Sequence, residues 1–529
     1  MSLTVELLKQ RAAELKTHQR LTAKQIDALN EAAWELRHAD IKLTVQFSTE
    51  ALQCAAQIDY SRGSAYALRG LGWGELCSDQ YAKAAQTLKQ SRAIFADLPV
   101  SDEAGLASAT NVLGSAQRYL GECDNALKNH LAALSLHEKT SEDSQAALIY
   151  NNLGGIHGIL GDYASALEYL YQALPISTES GVARIQALIN CTLGDTLWRV
   201  GEPDQAIESL QRAVSLFSDR RDRRNEGVTL VNLGAAYHSV QKYQTALDYY
   251  QRGLKIAREA SNSDAQTEAC IYIGEIHAQL NDEPAALRYL SEALQLSKKI
   301  GSRYNESQAL LQLGSLHYQI GDMRQSIENL ETALELSNWS GFKEICFKTH
   351  LALSKVYERE GKSAAALAHY QAFHERREEL FGSVPSRQIE RLLSRNELEQ
   401  TRRRLRQIPR QRDSKSSTPS RSALSPHNLR QVVEFIDNHL EKNIKIVELS
   451  QITSLNYAHF IRTFKHSTGK TPHQFLIEKR VERAKLLLKT TASPLVEIAL
   501  QCGFSSQSHL TTQFRLLTGT SPRQFRRLD

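Results

Sequence analysis

Glycines return every forty residues through the first two thirds of the chain, and this spacing limits the possible folds more than any other feature. Gly114, Gly154, Gly194, Gly234, Gly274 and Gly314 keep the interval, Ser354 continues it, and Gly72 precedes it by forty-two. Twelve residues after each stands a small residue: Ala84, Ala126, Ala166, Ala206, Ala246, Ala286, Ser326 and Ala366. Seven further on comes another small residue at Ala133, Ala173, Ala213, Gly253, Ala293 and Ala333. A fixed period of this size marks stacked supersecondary units. Small residues at fixed places let helices approach closely, and larger ones fill the gaps between them.

The segments between the glycines fit that reading. Residues 151–174 carry an amphipathic helix, a Gly161-Asp162 turn and a second amphipathic helix. The turn recurs at Gly121-Glu122, Gly201-Glu202, Gly321-Asp322 and Gly361-Lys362. The pattern resembles the tetratricopeptide repeat in a forty-residue form, over residues 25–380. Eight units carry it, from Gly72 to Ser354. A ninth, over about 25–58, departs from it at Thr44 and Ser48 and suits a capping unit. Residues 1–24 are expected to form an N-terminal helix.

Composition excludes several classes. No apolar run in the 529 residues approaches the ~18 that a membrane span needs. The start, MSLTVELLKQRAAELK, lacks a basic segment followed by an apolar core, so no signal peptide is expected. The seven cysteines are scattered, odd in number and never in a CxxC pair. They read as reduced thiols of a cytoplasmic protein, not a disulfide frame or a zinc site. The 17 histidines form no HExxH, and there is no GxSxG, no P-loop and no strand-borne GxGxxG. No enzyme activity, cofactor or metal is expected.

Charge is unevenly placed. Residues 386–529 carry 26 Lys and Arg against 12 Asp and Glu, a net of +14, whereas the rest carries −9. An acidic body with a basic tail directs only the tail toward phosphate. Residues 381–408 read as a charged helix whose sparse stripe of Ile389, Leu392, Leu393, Leu398, Leu405 and Ile408 makes it a candidate homodimer contact. Residues 409–426, rich in Arg, Ser, Thr and Pro, read as a flexible basic linker.

The remaining segment, 427–529, contains one pattern written twice, fifty residues apart. Phe464-Lys465, Gly469, Pro472 and Phe475 match Phe514-Arg515, Gly519, Pro522 and Phe525. In the first copy, a short helix over 446–453 precedes a helix capped by Asn456 and stopped at Gly469. Phe460 and Phe464 turn inward. In the second, 495–501 precedes a helix capped by Ser505 or Ser506, with Phe504, Leu510 and Phe514 inward. A helix from Pro472 to Lys489, with Phe475, Val481, Ala484 and Leu488 inward, joins them as a spacer of roughly 25 Å. Two helix-turn-helix units so spaced suit successive major grooves of double-stranded DNA.

"HFIRTFKHSTGKTPHQFL", "EIALQCGF" and "SQSHLTTQFRLLTGTSPRQFR" together resemble the DNA-binding domain of AraC/XylS-type transcriptional regulators. The resemblance implies base contacts from Ala458, Ile461 and Arg462 in the first recognition helix, and from Gln507, Ser508, Thr511 and Thr512 in the second. Asn456, Tyr457 and Ser506 stand at the helix starts, and Lys465 and Arg515 fall to backbone phosphate. The expected fold is therefore all-α: a repeat superhelix, a linker helix and a double helix-turn-helix domain. The expected function is a sequence-specific transcriptional regulator, bound to the bacterial nucleoid when on DNA, with RNA polymerase a candidate further partner.

The array is expected to sense a peptide or protein partner in its concave groove. Asn111, Asn152 and Asn232, just before the repeat glycine, are candidates for holding a peptide backbone. Arg118, Trp198, Arg199, His238 and Tyr318, just after it, are further candidates. The competing reading of the asparagines is hydrogen bonding within the repeats. The competing reading of the whole chain is an interaction scaffold with a weakly, non-specifically nucleic-acid-binding tail.

Thr512 stands where the first copy has Arg462, so the second helix lacks the side chain suited to bidentate guanine contact. On mutated operator sites, Arg462→Ala is expected to relax base discrimination by about 1–3 kcal/mol and Thr512→Ala by less. The opposite ranking in a binding assay rejects the asymmetry.

Overall fold

The computed structural model describes residues 21–137, 143–382, 385–396, 424, 426–441, 446–453, 457–491, 493–504, 507–518 and 520–526. They divide into two compact units, Met1–Glu397 and Leu398–Asp529. Among the described residues all regular structure is helical, and no helix is long and apolar enough to cross a membrane.

The first unit stacks nine helix pairs among its described residues, from Ala23–Leu36 with Ile41–Gln57 to Lys343–Arg359 with Ser363–Phe381. Within a pair the two helices cross at the repeat glycine. A Cβ placed on Gly72, Gly154, Gly194, Gly274 or Gly314 would lie 2.5–2.7 Å from the Cγ of Leu88, Leu170, Leu210, Leu290 or Leu330 respectively. Gly114 meets His130 and Gly234 meets Tyr250 in the same way. Each partner stands sixteen residues after its glycine. The small residue twelve after the glycine lies at the same crossing, and all but Ala366 are buried. Ser326 donates its hydroxyl to the Gly314 carbonyl at 2.7 Å.

The turns repeat more regularly than the sequence indicated. Gly161 takes φ +80°, and the Asp162 carboxylate then caps the next helix by accepting from the Ser165 N–H. Where glycine is missing the same left-handed turn survives, at Gln241 (φ 61°) and Asn281 (φ 59°). Packing of the flanking helices holds a conformation that costs a non-glycine residue about 1–2 kcal/mol. The stack also winds back on itself. The Arg224 guanidinium pairs with Asp79 at 2.8 Å, 145 residues away, and the Ser263 N–H donates to the same carboxylate at 2.8 Å.

Both ends of the array depart from expectation. Ala23 and Lys24 belong to the first repeat helix, which begins after Thr22, while residues 1–20 lie outside the described residues. Thr44 and Ser48, out of pattern in sequence, are buried, and Ser48 faces the bare backbone of Gly70. The expected continuous helix over 381–408 is interrupted. Ser363–Phe381 stops at Gly382 in extended conformation, and a separate helix covers 385–396. Its Ile389 is 8% exposed and joins a cluster with Phe347 and Leu380, against which Leu392 and Leu393 pack. Half of the stripe offered for pairing with a second chain is thus covered by the array itself. Leu398, Leu405 and Ile408 lie outside the described residues, as does most of 409–426.

The second unit begins with Pro426–Asn438 and carries the two copies in turn. Ile446–Ile452 and Tyr457–Thr468 precede the long helix Pro472–Thr490, and Leu495–Gln501, Gln507–Thr518 and Pro522–Phe525 follow it. Each copy has its own core. Leu449, Phe460 and Phe464 pack with Val432, Ile436 and Leu476, whereas Ile498, Phe504, Leu510 and Phe514 pack with Ile477, Val481 and Leu488. The long helix therefore supplies residues to both. Of its four expected inward residues, Val481, Ala484 and Leu488 are buried and Phe475 is half-buried.

The crossing predicts opposite effects for two glycines. Gly194→Ala would drive its Cβ into Leu210 and to 3.1 Å from the Ala206 carbonyl, costing about 1–3 kcal/mol after repacking. Gly155→Ala meets only Thr192 Cγ2 at 3.7 Å, so the better helix former should be neutral or stabilising by roughly 0.5–1 kcal/mol. Urea denaturation of the two variants checks the sign.

Candidate nucleic-acid interface and repeat groove

In the second unit each recognition helix is fixed by the same set of contacts. Phe464 meets Phe475 edge-on at 5.4 Å, and Phe514 meets Phe525 at 5.3 Å. Thr471 with Gln474, and Ser521 with Gln524, form reciprocal capping boxes, each with proline at the first helical position. Thr468 and Thr518 return their hydroxyls to the Phe464 and Phe514 carbonyls at 2.8 and 2.7 Å. These threonines and capping glutamines keep the fifty-residue offset and were not singled out in the sequence.

With the phenylalanines turned inward, Lys465 and Arg515 are both exposed, and Thr511 is half-buried. Tyr457, Ala458, Ile461 and Arg462 fall within the first recognition helix, and Gln507, Ser508 and Thr512 within the second. Their side chains lie outside the described residues, as do Asn456, Ser505 and Ser506 altogether. Gly503, at φ +75°, makes the turn of the second copy, where a Cβ would sit 2.0 Å from the Leu440 carbonyl oxygen. The same carbonyl accepts from buried Arg480 Nε at 3.2 Å, tying the long helix to the segment before the first copy.

In the first unit the groove candidates separate into two groups. Asn111 Oδ1 accepts from Asn152 at 3.0 Å and lies 2.8 Å from His130 Nδ1, and Asn232 reaches Cys191 Sγ at 3.6 Å. These amides are engaged between repeats. Arg118 lies 4.3 Å over the Tyr119 ring, and Tyr318 receives Arg359 on its ring and its carbonyl. Trp198, Arg199 and His238 instead line a cavity of about 220 Å³ with Tyr250, Tyr272, Glu275, Gln308, Glu344 and Lys348.

The charges in this region do not balance. Arg199 pairs with Asp195 at 3.2 Å and with Glu344 at 3.1 Å, and Lys348 also holds Glu344 at 2.6 Å. Burial disfavours the Glu344 carboxylate, but Lys348, Arg199 and a Tyr163 hydroxyl outweigh it and hold the pKa well below the usual range. Among the described residues Glu268, one turn from Tyr272, forms no ion pair. Burial first, then Asp195 and Asp264, push its pKa up to about 8, and Arg199 and Arg118 offset this only in part. The Gln308 Oε1 and the Tyr250 hydroxyl are buried without a partner. Among the described residues no group of three or more His, Cys, Asp and Glu could hold a metal ion.

Residues 449–528 match the family model of the helix-turn-helix domain, and 105–179, 185–259 and 267–338 match that of the tetratricopeptide repeat. The chain ends in an AraC-type helix-turn-helix domain and carries tetratricopeptide repeats before it. Among curated relatives, "Probable transcriptional regulator LumQ" of Photobacterium leiognathi is 40% identical over 98 residues, 18% of this chain and 40% of that protein. An uncharacterised HTH-type transcriptional regulator of Staphylococcus aureus (strain COL) is 34% identical over 107 residues, 20% of this chain and 14% of that protein. The chain thus spans less than half the length of either relative. The crystal structure of a Rap protein complexed with competence and sporulation factor is 12% identical. It covers 68% of this chain and 99% of its own, with a TM-score of 0.54, and shares the fold of the array.

Reading the tetratricopeptide units one at a time missed Glu268, Glu275, Gln308, Glu344 and Lys348. Glu344 meets Arg199 only because the superhelix winds back, a relation no local pattern carries. The nearest sequence signal was the pair of acids directly after repeat glycines, Asp195 and Glu275.

A carboxyl whose folded pKa is raised stabilises the fold fully below its unfolded pKa and loses that contribution as pH rises through the folded value. For Glu268 the window runs from the ordinary carboxyl range up to about 8. The advantage of Glu268→Gln over the parent should grow by at least about 1 kcal/mol between about pH 4 and about pH 8.5. Equal stability of the two proteins at both pH values in chemical denaturation excludes this assignment.

Proposed function

We propose that the protein is a sequence-specific DNA-binding transcriptional regulator whose repeat array binds a peptide or protein partner and thereby controls the helix-turn-helix output. The DNA reading rests on the duplicated fold of the second unit, its positive charge and the names of the relatives that match it. In this reading Ala458, Ile461, Arg462, Gln507, Ser508, Thr511 and Thr512 read base edges, with Asn456, Tyr457 and Ser506 at the helix starts. Lys465 and Arg515, on the exposed faces, grip phosphate.

The partner reading rests on the cavity in the array. Among the described residues Gln308 Oε1 and the Tyr250 hydroxyl are buried there without a partner, and the Glu275 carboxylate lines the same cavity. A ligand that completes such a site brings N–H donors and positive charge, set against Trp198 and Tyr272. A lysine or arginine side chain of an extended partner meets both needs, and the volume suits one such side chain. Binding that orders the array redistributes the presentation of the basic domain beyond it.

Footprinting at physiological salt separates this reading from a scaffold with a sticky tail. A regulator protects a defined site of about two helical turns, whereas non-specific binding vanishes steeply with salt and protects none. Removal of residues 1–385 is expected to leave that footprint and abolish the regulatory response of a reporter gene. A response unchanged by the deletion rejects control by the array.

A further inference from the structure

The first two helix pairs hold two stacked arginines that, among the described residues, have no ion-pair partner. Arg69 is 7% exposed, and its guanidinium lies 3.7 Å over the Trp34 ring and 4.7 Å from that of Tyr66. One Nη donates to the Ser108 hydroxyl at 3.2 Å, while its Nε is buried without a partner. Arg37 lies 4.3 Å over the same Trp34 ring and, among the described residues, donates its guanidinium to the Trp34 carbonyl of its own helix alone. Trp73 closes the cluster: it meets Trp34 edge-on at 6.0 Å and donates its indole N–H to the Arg37 carbonyl at 3.0 Å. His38 packs against Trp73 at 5.2 Å.

Among the described residues no carboxylate forms an ion pair with either arginine. Of the acids nearby, exposed Glu35 acts on Arg37 only through its charge, and two others are engaged elsewhere. Asp102 takes Arg62 at 2.8 Å and the Tyr66 hydroxyl, and Asp27 takes the Tyr60 hydroxyl and Arg62 at 3.3 Å. Arg184, brought close by the winding of the array, is paired with Asp222 at 3.0 Å and adds its charge to the cluster. Burial first, then repulsion by Arg69 and Arg184, lower Arg37 to about 9, with Glu35 opposing. Burial lowers Arg69 to about 10, with Tyr66 and Asp102 opposing.

Stacking on Trp34 accounts for the planar packing of both side chains. It does not account for two guanidiniums on one ring, nor for a buried N–H donor with no acceptor, which costs about 1–3 kcal/mol. Guanidinium forks match oxyanions in shape as well as charge.

We propose that Arg37 and Arg69, held by Trp34 and Trp73, form an oxyanion site that takes a carboxylate or phosphate group of a ligand. The site lies on the first two repeats, apart from the cavity lined by Trp198 and Tyr272. It stands independently of the basic-partner reading of that cavity, and failure of one leaves the other in place. A ligand that engages both carries charges of opposite sign.

Trp34 and Trp73 make the site readable. The full chain is titrated with inorganic phosphate and, separately, with acetate against chloride at constant ionic strength, following tryptophan emission and the thermal midpoint. The expected result is a saturable change with at least one of the two anions, weakened about tenfold or more in Arg37→Gln, a loss of one charge-assisted contact. A response to phosphate alone assigns a phosphorylated ligand, and a response to acetate assigns a carboxylate. Arg69→Met should behave as Arg37→Gln does, and if it does not fold, the half-buried Arg37 alone decides. No saturable change with either anion, or an identical response in Arg37→Gln, overturns the proposal.

Discussion

The contact on which the array depends, present in seven of its nine described units, is between a bare glycine backbone in the first helix and the side chain sixteen residues later in the second. Leu210 over Gly194 and Tyr250 over Gly234 are two instances of one crossing. Because no Cβ intervenes, the two helices come close enough for the small residue at Ala206 or Ala246 to complete the same contact. Repeating that crossing at a constant interval makes each unit the template for the next. The accumulated rotation then brings units far apart in sequence into touch. The Asp79–Arg224 and Arg199–Glu344 pairs are consequences of it.

That winding gathers charge inside the array in an uneven way. Arg199, Lys348, Asp195 and Glu344 compensate one another, and their burial is tolerable because each charge has a close partner. Among the described residues Glu268 has none, and the Arg37–Arg69 stack has no ion-pair partner. Unmatched buried charge lowers the stability of the empty array, so any ligand that supplies the counter-charge stabilises the folded state in proportion to its occupancy. Such an array is suited to respond to what it binds.

The second unit solves a different problem with a duplication. Each copy builds a separate small core, and the helix Pro472–Thr490 contributes Leu476 to one and Val481 and Leu488 to the other. Buried Arg480, held by the Leu440 carbonyl, ties this shared helix to the chain ahead of it. The two recognition helices are thereby mounted on one rod. The repeated Thr468 and Thr518 contacts and the paired capping boxes fix how each helix ends.

The helix pairs, their crossing points, the inward phenylalanines and the AraC-type domain were legible from sequence, because each depends on residues within one unit and recurs at a fixed interval. The left-handed turns at Gln241 and Asn281 were not legible, since neighbouring helices there impose what glycine permits elsewhere. The packing of the linker helix was not legible either: Ile389 packs on Phe347 and Leu380, which periodicity within 381–408 does not reveal. The partners of the asparagines were not legible from one unit: Asn152 donates to Asn111 and Asn232 reaches Cys191, contacts set by the stacking of adjacent units. Local spacing determines which surfaces a chain must bury. Only the winding of the whole array decides which charges meet across it and which are left for a ligand, because those distances depend on the sum of many small rotations.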